Sequence, residues 1–332
     1  MSRALITGAS GLVGSHLVER LLRDGWTLRA LVRDRARAGW LVSQGVELRD
    51  GDTRDRAAFA RAAEGVQYVF HCAAAITPRG GWEAFRAPNI DGTANAVAAA
   101  AHAGARLLHL SSVAVYGPDG RRALLRGAGL QELQPFLPVP DDAWYARSKR
   151  ESETLVMDAH RDGRVWATAV RPCVIYGPRD RQFVPRAATL LRLPLVPRLG
   201  GEATLSIVHA RSVAEVAVRA ATSEVAGGRA YNVTNDPPIT VREFYEAAQA
   251  GLGIRARWLP IPAALITGAM GGIGAALRAL RIPGAALLNA RALDFVLADN
   301  PFSSERARIE LGWTSSIDPR AAIAEAFRPY AS

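Results

Sequence analysis

Apolar residues arrive along this chain in short blocks, and the blocks alternate between two spacings. Arg3-Ala-Leu-Ile-Thr7, Thr27–Val32, Val46-Glu-Leu48, Val66–Phe70, Leu107–Leu110 and Val165–Arg171 are short runs of the kind that buried strands show. Between them lie helical spacings. Leu12, Val13, Leu17, Val18, Leu21 and Leu22 form the first, Asn89-Ile-Asp91-Gly92-Thr93 opens an Ala-rich one to Ala103, and another opens at Trp144. This alternation predicts an α/β fold over residues 1–178, a doubly wound parallel sheet with helices on both faces. After Pro178 the alternation weakens. Leu205–His209 reads as a strand, a helix follows from Arg211, Ala230–Val233 reads as a strand, and Thr240 caps a helix to Ala250. Residues 179–332 are therefore expected to form mostly a smaller C-terminal substrate lobe, with 205–234 returning to the sheet.

In such sheets ligands bind past the carboxyl ends of the strands, and the residues there suit a dinucleotide. The first strand runs into Thr7-Gly8-Ala9-Ser10-Gly11-Leu12-Val13-Gly14 and then a helix. Gly8 allows the tight turn, Gly11 lets the backbone approach a pyrophosphate at the positive helix N-terminus, and Gly14 lets the helix pack on the strand. At the end of the second strand an Arg suits a 2′-phosphate and an acid suits a 2′-hydroxyl. The chain has Arg33, which argues for NADP(H); the rival is Asp34 taking the ribose of NAD(H). Asp52 is placed to accept from an adenine amino group, or else to cap the helix from Asp55. His71 reads as strand-end packing. Ile266-Thr-Gly-Ala-Met-Gly-Gly-Ile-Gly274 imitates a second loop of this kind, but Pro260 and Pro262 precede it and no strand of normal length does, so Ala263–Leu280 reads as one helix of the smaller lobe.

The candidate chemistry sits in Trp144-Tyr145-Ala146-Arg147-Ser148-Lys149. Tyr145 and Lys149 are one helical turn apart and project from one face. An ammonium beside a phenol is expected to lower the phenol's pKa and fit it for proton transfer. Lys149 is the one lysine of the chain; every other basic residue besides histidine is Arg. Ser112, at the end of the fifth strand, is placed to hold a substrate oxygen for Tyr145, or serves as a turn or cap.

The 332 residues carry a net charge of +10, but the arginines are scattered, so a solvated surface is expected and no nucleic-acid partner. Cys72 and Cys173 show neither metal spacing nor a disulfide framework, which fits a cytoplasmic location. The N-terminal glycines and charges argue against a signal peptide. No segment reaches the ~18 uncharged apolar residues of a membrane span.

Taken together, Thr7–Gly14, Asn89-x-x-Gly92-Thr93, Ser111-Ser-Val-Ala-Val-Tyr-Gly117, Tyr145-x-x-x-Lys149 and Arg171-Pro-x-x-Ile-Tyr-Gly-Pro178 resemble an extended short-chain dehydrogenase/reductase, the NAD(P)-dependent epimerase/dehydratase group, over essentially the whole chain. The resemblance implies a Rossmann-type dinucleotide domain and Ser112, Tyr145 and Lys149 as catalytic triad. It implies that Gly8, Ser10, Gly11, Leu12, Val13, Gly14, Arg33, Asp52, Thr53, Ala73, Ala74, Asn89 and Pro172 line the cofactor with Tyr145 and Lys149, and that Asn89 sits near the nicotinamide. No metal is implied, and a homodimer through Ala84–Ala103 and Trp144–His160 is left open by analogy. Dehydratases of the group carry Asp-Glu where this chain has Val113 and Ala114. The diphosphate-binding positions of UDP-sugar epimerases are Val174 and Leu205 here. That favours an NADP(H)-dependent reductase or dehydrogenase for an apolar or small ketone or secondary alcohol, similar to the dihydroflavonol reductase and 3β-hydroxysteroid dehydrogenase branches. The family usually has an Asp after His209, where Ala210, Arg211 and Ser212 follow here. A sugar-nucleotide epimerase and a non-catalytic dinucleotide sensor remain the alternatives, and the 118–142 segment is either a substrate lid or a surface excursion.

Overall fold

The computed structural model describes residues 2–76, 80–117, 124, 131–192, 202–235, 237–255 and 299–331, with the backbone of two further strands at 195–198 and 257–260. In chain order the elements are β1 (Arg3–Thr7), α1 (Leu12–Arg23), β2 (Thr27–Val32), α2 (Gly39–Ser43), β3 (Glu47–Asp50), α3 (Arg56–Ala63), β4 (Tyr68–His71), α4 (Glu83–Arg86), α5 (Gly92–Ala103), β5 (Arg106–Leu110), α6 (Trp144–Arg161) and β6 (Ala167–Pro172). They continue with β7 (Val174–Tyr176), α7 (Phe183–Leu191), β8 (Leu195–Arg198), β9 (Ile207–His209), α8 (Ala210–Thr222), β10 (Ala230–Val233), α9 (Val241–Leu252), β11 (Arg257–Pro260), α10 (Glu305–Leu311) and α11 (Pro319–Phe327). The chain divides into two units, the first made of residues 1–173, 210–234 and 302–314, the second of 174–209, 235–301 and 315–332.

Seven strands of the first unit form one sheet in the order β10-β6-β5-β4-β1-β2-β3, with every pair parallel. The order reverses beside β1, and that reversal opens a crevice at the carboxyl ends of β1 and β4. Helices α3, α5 and α6 cover one face; Phe59, Ala62, Ala96, Val97, Ala100 and Val156 meet Leu5, Val69 and Leu107 there in a continuous core. α1 and α8 pack together on the other face. α3 begins at Asp55, whose carboxylate accepts from the N–H groups of Ala57 and Ala58 at 3.0 Å.

The second unit has its own core, in which Tyr176, Val184, Leu191, Leu205 and Ile207 join Phe244, Ile323 and Phe327. Two small parallel sheets belong to it, β7 with β9 and β8 with β11. Thr240 caps α9 through a reciprocal pair with Glu243.

Of 205–234, residues 210–234 belong to the first unit, where α8 packs and β10 joins the large sheet beside β6. β9 pairs with β7 instead, because Leu205 and Ile207 fill the second unit's core. Residues 302–314 also leave the second unit and pack in the first. The glycine-rich 266–274 stretch, the helix read at 263–280 and most of 118–130 lie outside the described residues.

Candidate active site

The glycine turn is built so tightly that side chains are excluded. Gly8 has φ +68°, and a Cβ on it would stand 2.9 Å from the backbone nitrogen of Ala73, past the end of β4. A Cβ on Gly14 would overlap the Gly8 carbonyl and stand 2.8 Å from the Ala9 Cα, so α1 rests directly on the turn. The Gly11 N–H closes the turn by donating to the Gly8 carbonyl at 2.9 Å. Gly11 is the N-cap of α1, with no side chain capping it and no acid in the first turn. The first N–H groups of a helix lack intrahelical partners, so this end is left open to an anion. Ser10 and Gly11 are exposed, Leu12 is half-buried and Val13 is buried beneath them. A cradle that a single Cβ would fill, with an uncapped positive helix end above it, fits a dinucleotide.

At the end of β2 the three charged residues differ in what already holds them. Asp34 accepts from the Ala36 N–H at 2.9 Å and pairs with Arg37 at 3.3 Å. Arg35 pairs with Asp50 at 2.9 Å and donates to the Leu48 carbonyl. Arg33 is exposed and makes no hydrogen bond or ion pair among the described residues. Asp52 does not cap α3; Asp55 does. Arg54 grips both Asp52 oxygens at 2.9 and 3.0 Å, and the Arg54 hydrogen bond holds the Asp52 carboxyl below its usual range. The Thr53 carbonyl accepts from Asn95 at 2.9 Å. Ala73 and Ala74 follow β4 as small residues, the first half-buried and the second exposed, and Pro172 is the buried last residue of β6.

Ser112, Tyr145 and Lys149 are brought together. Ser112 opens the single 3-10 turn Val113–Tyr116 after β5 and accepts from the Ala114 N–H at 3.2 Å. Tyr145 and Lys149 lie on the first turns of α6. The Lys149 ammonium is buried and donates to the Leu110 carbonyl at 2.6 Å. Burial lowers its pKa to about 8, with the Glu153 and Cys72 charges acting the other way. The expected depression of the phenol is absent. Burial raises the Tyr145 pKa, and what opposes that rise is a hydrogen bond with Ser112, not the ammonium. His71 and His109, stacked with ring centroids 5.8 Å apart, are neutral. Burial takes His71 to about 3 and His109 well below its usual range, and the Lys149 charge adds to both.

Two features go beyond what the sequence shows: a π-helical segment around Asn89, a residue expected to line the cofactor, and a buried ion pair. Asn89 lies in a π-helical segment, Ala87–Asp91, between α4 and α5. Its amide accepts from the Ala75 N–H at 2.7 Å and donates to the Ala75 carbonyl at 3.0 Å and to Ser148 at 2.9 Å, joining the end of β4 to α6. The second is a buried ion pair. Glu153, one turn beyond Lys149, takes both oxygens to the Arg171 Nε at 3.0 Å, with the side chains 2 % and 6 % exposed. An acid four residues after Lys149, on the face that buries, is the signal that points to it.

The model of the NAD dependent epimerase/dehydratase family matches residues 4–234. A ketoreductase of Stigmatella aurantiaca acting on 4-hydroxy-2-methyl-3-oxo-4-farnesyl-3,4-dihydroquinoline-1-oxide is 30 % identical over 318 residues, 95 % of this chain and 92 % of that protein. The ceramide reductase of Caulobacter vibrioides is 32 % identical over 268 residues, 80 % of this chain and 76 % of that one. Among solved structures, gox2253 superposes with a TM-score of 0.72 at 27 % identity, covering 98 % of this chain and 97 % of that chain.

Proposed function

Because the chain belongs to the NAD-dependent epimerase/dehydratase family and is an NAD(P)-dependent oxidoreductase, we propose that it reduces a ketone to a secondary alcohol with NADPH. The observation that carries this reading is the arrangement of Tyr145 and Lys149 one turn apart on α6 with Ser112 on the turn after β5, near enough to the phenol to oppose the rise of its pKa. A protonated phenol is the form a reduction needs, because the carbonyl oxygen gains a proton as its carbon gains the hydride. In this reading Tyr145 donates that proton and Ser112 orients the oxygen. Lys149 holds positive charge beside the site and would bind the nicotinamide ribose. A nicotinamide bound there would supply the hydride.

The preference for NADP(H) rests on the end of β2. Asp34, the rival acceptor for a ribose hydroxyl, already caps a turn, and Arg33 is the guanidinium left for a phosphate. The substrate is proposed to be an apolar ketone. Val174 and Leu205 offer a diphosphate nothing to bind, and the two curated relatives are named for a farnesylated ketone and for ceramide.

Fluorescence titration with NADPH and NADH tests the cofactor. The expected result is tighter NADPH binding, weakened about 10- to 100-fold in Arg33→Ala with NADH unaffected, the size of a charge-assisted hydrogen bond. NADPH oxidation with a prenylated aromatic ketone and a long-chain 3-oxo amide tests the chemistry. Tyr145→Phe should lose about 10²-fold or more in kcat. Full activity in that variant, or no dinucleotide binding by the wild type, defeats the proposal.

A further inference from the structure

The two parts of the proposed catalytic group lie on different elements. Tyr145 and Lys149 ride on α6, whereas Ser112 sits on the turn after β5. Besides the Lys149 bond to the Leu110 carbonyl, the distance between them depends on what joins the two elements. A buried polar chain does join them. Arg171, on β6, holds Glu153 of α6 through its Nε, and its Nη1 donates to the Tyr116 hydroxyl at 2.7 Å. Tyr116 is the last residue of the turn that Ser112 opens. Its hydroxyl in turn donates to the Asn232 side chain at 3.0 Å, so it is spent on both sides. Asn232, on β10, also holds the loop that precedes α6: its N–H donates to Glu132 at 2.8 Å and its amide to Gln131 at 3.2 Å.

A guanidinium that grips a carboxylate with one edge and a phenol with the other is a planar spacer of fixed length. Arg171 and Glu153 are nearly inaccessible, and a lone charge left there would be costly, which accounts for the completeness of the pairing. The Phe136 ring lies 5.0 Å from the Arg171 guanidinium and 4.8 Å from that of Arg150. Arg150 donates to the Val115 carbonyl at 2.8 Å, a second tie between α6 and the same turn.

We propose that Arg171, acting through Tyr116 and Glu153, is a positioning residue that sets the Ser112–Tyr145 distance. The proposal rests on the triad assigned above. It assigns the Tyr116 hydroxyl a role in turnover although that hydroxyl is buried, bonded on both sides and away from the reacting atoms. Tyr116→Phe removes only this hydroxyl and keeps the ring, which stacks on Phe302 with centroids 5.8 Å apart.

The test is a double-mutant cycle of Tyr116→Phe with Ser112→Ala, read by NADPH oxidation with the two ketones named above and by the NADPH dissociation constant. Tyr116→Phe should lower kcat about tenfold, as a small misplacement of a reacting group does, and leave NADPH affinity unchanged. In the Ser112→Ala background it should cost nothing further, because it acts through Ser112. A purely structural role predicts the same fold loss in both backgrounds, and that result, or an unchanged kcat, overturns the proposal. A second measurement needs no substrate. With ¹³Cζ-labelled tyrosine, the Tyr145 resonance (assigned by its loss in Tyr145→Phe) should move in Tyr116→Phe in the same direction as in Ser112→Ala, and no further in the double variant. An unmoved resonance sinks the brace. Full activity in both Tyr145→Phe and Ser112→Ala instead sinks the functional reading, and the resonance still reports whether Tyr116 acts on Ser112.

Discussion

Lys149 is the residue whose behaviour is simplest to check, because it is the chain's one lysine. A ¹³Cε-lysine label gives a single side-chain resonance, and we expect it to titrate with a midpoint of about 8. The cause is burial, which disfavours the ammonium. The linkage has a definite sign. The folded state releases its proton near 8 while the unfolded lysine keeps it to about 10.4, so this group's penalty on stability is present in full below pH 8 and is relieved as pH rises from 8 towards 10. Removing the opposing charge in Glu153→Gln should lower the midpoint further. A midpoint near 10 in the wild type refutes the burial. At this scale the sequence was informative about identity and poor about environment. Tyr145, Lys149 and Ser112 stand out by spacing and residue type. The direction of the Tyr145 shift depends on how deeply the phenol is buried and on which neighbour reaches it, and Lys149 turns out to point at the Leu110 carbonyl. The alternative role of Asp52, capping the next helix, falls to Asp55 three residues on, while Arg54 takes both Asp52 oxygens.

The glycine turn and α1 act as one element, and Gly14 and Gly11 should fail differently when altered. Gly14→Ala drives a methyl into the Gly8 carbonyl and the Ala9 backbone. Overpacking of that kind costs about 1–3 kcal/mol, so a lowered Tm together with lost dinucleotide binding is expected. At Gly11 the nearest atom to an added Cβ is the Gly8 carbonyl at 3.0 Å, and the residue is exposed with φ −79°. Gly11→Ala should therefore lower Tm less than Gly14→Ala, since only the Gly8 carbonyl has to give way, and weaken NADPH binding, because its methyl stands where the pyrophosphate would approach. Equal losses of Tm in the two variants would contradict this division. The strands and helices of the first half were legible to within a few residues because each is a local pattern. The π-helical segment at Ala87–Asp91 was not, because what holds it is Asn89 reaching Ala75 and Ser148, and no local spacing records such distant partners.

Across the whole molecule, membership of a unit does not follow chain order, and the C-terminal segment 302–314 makes the point. The Ser304 hydroxyl accepts from the Thr234 N–H at 3.0 Å, just past β10, the edge strand of the large sheet. The Tyr231 hydroxyl on that strand donates to Glu310 at 2.8 Å. Trp313 is 1 % exposed and donates to Glu215 on α8 at 3.2 Å, and Arg219 of the same helix donates to the Leu311 carbonyl. The segment thus covers a sheet edge and the outer end of a core helix, both parts of the unit that carries the glycine turn. Sequence alternation assigned it to the smaller lobe because nothing local in Asn300–Trp313 names its partner. The consequence is measurable. Trp313→Ala should destabilise the dinucleotide unit by about 3–5 kcal/mol, lowering its Tm by roughly 10 °C for a domain of this size. Saturating NADPH binds only the folded unit and should raise the variant's Tm as it raises the wild type's. If the segment instead supported the second unit alone, the variant's cofactor-stabilised transition would melt at the wild-type temperature, and differential scanning calorimetry with and without NADPH separates the two outcomes.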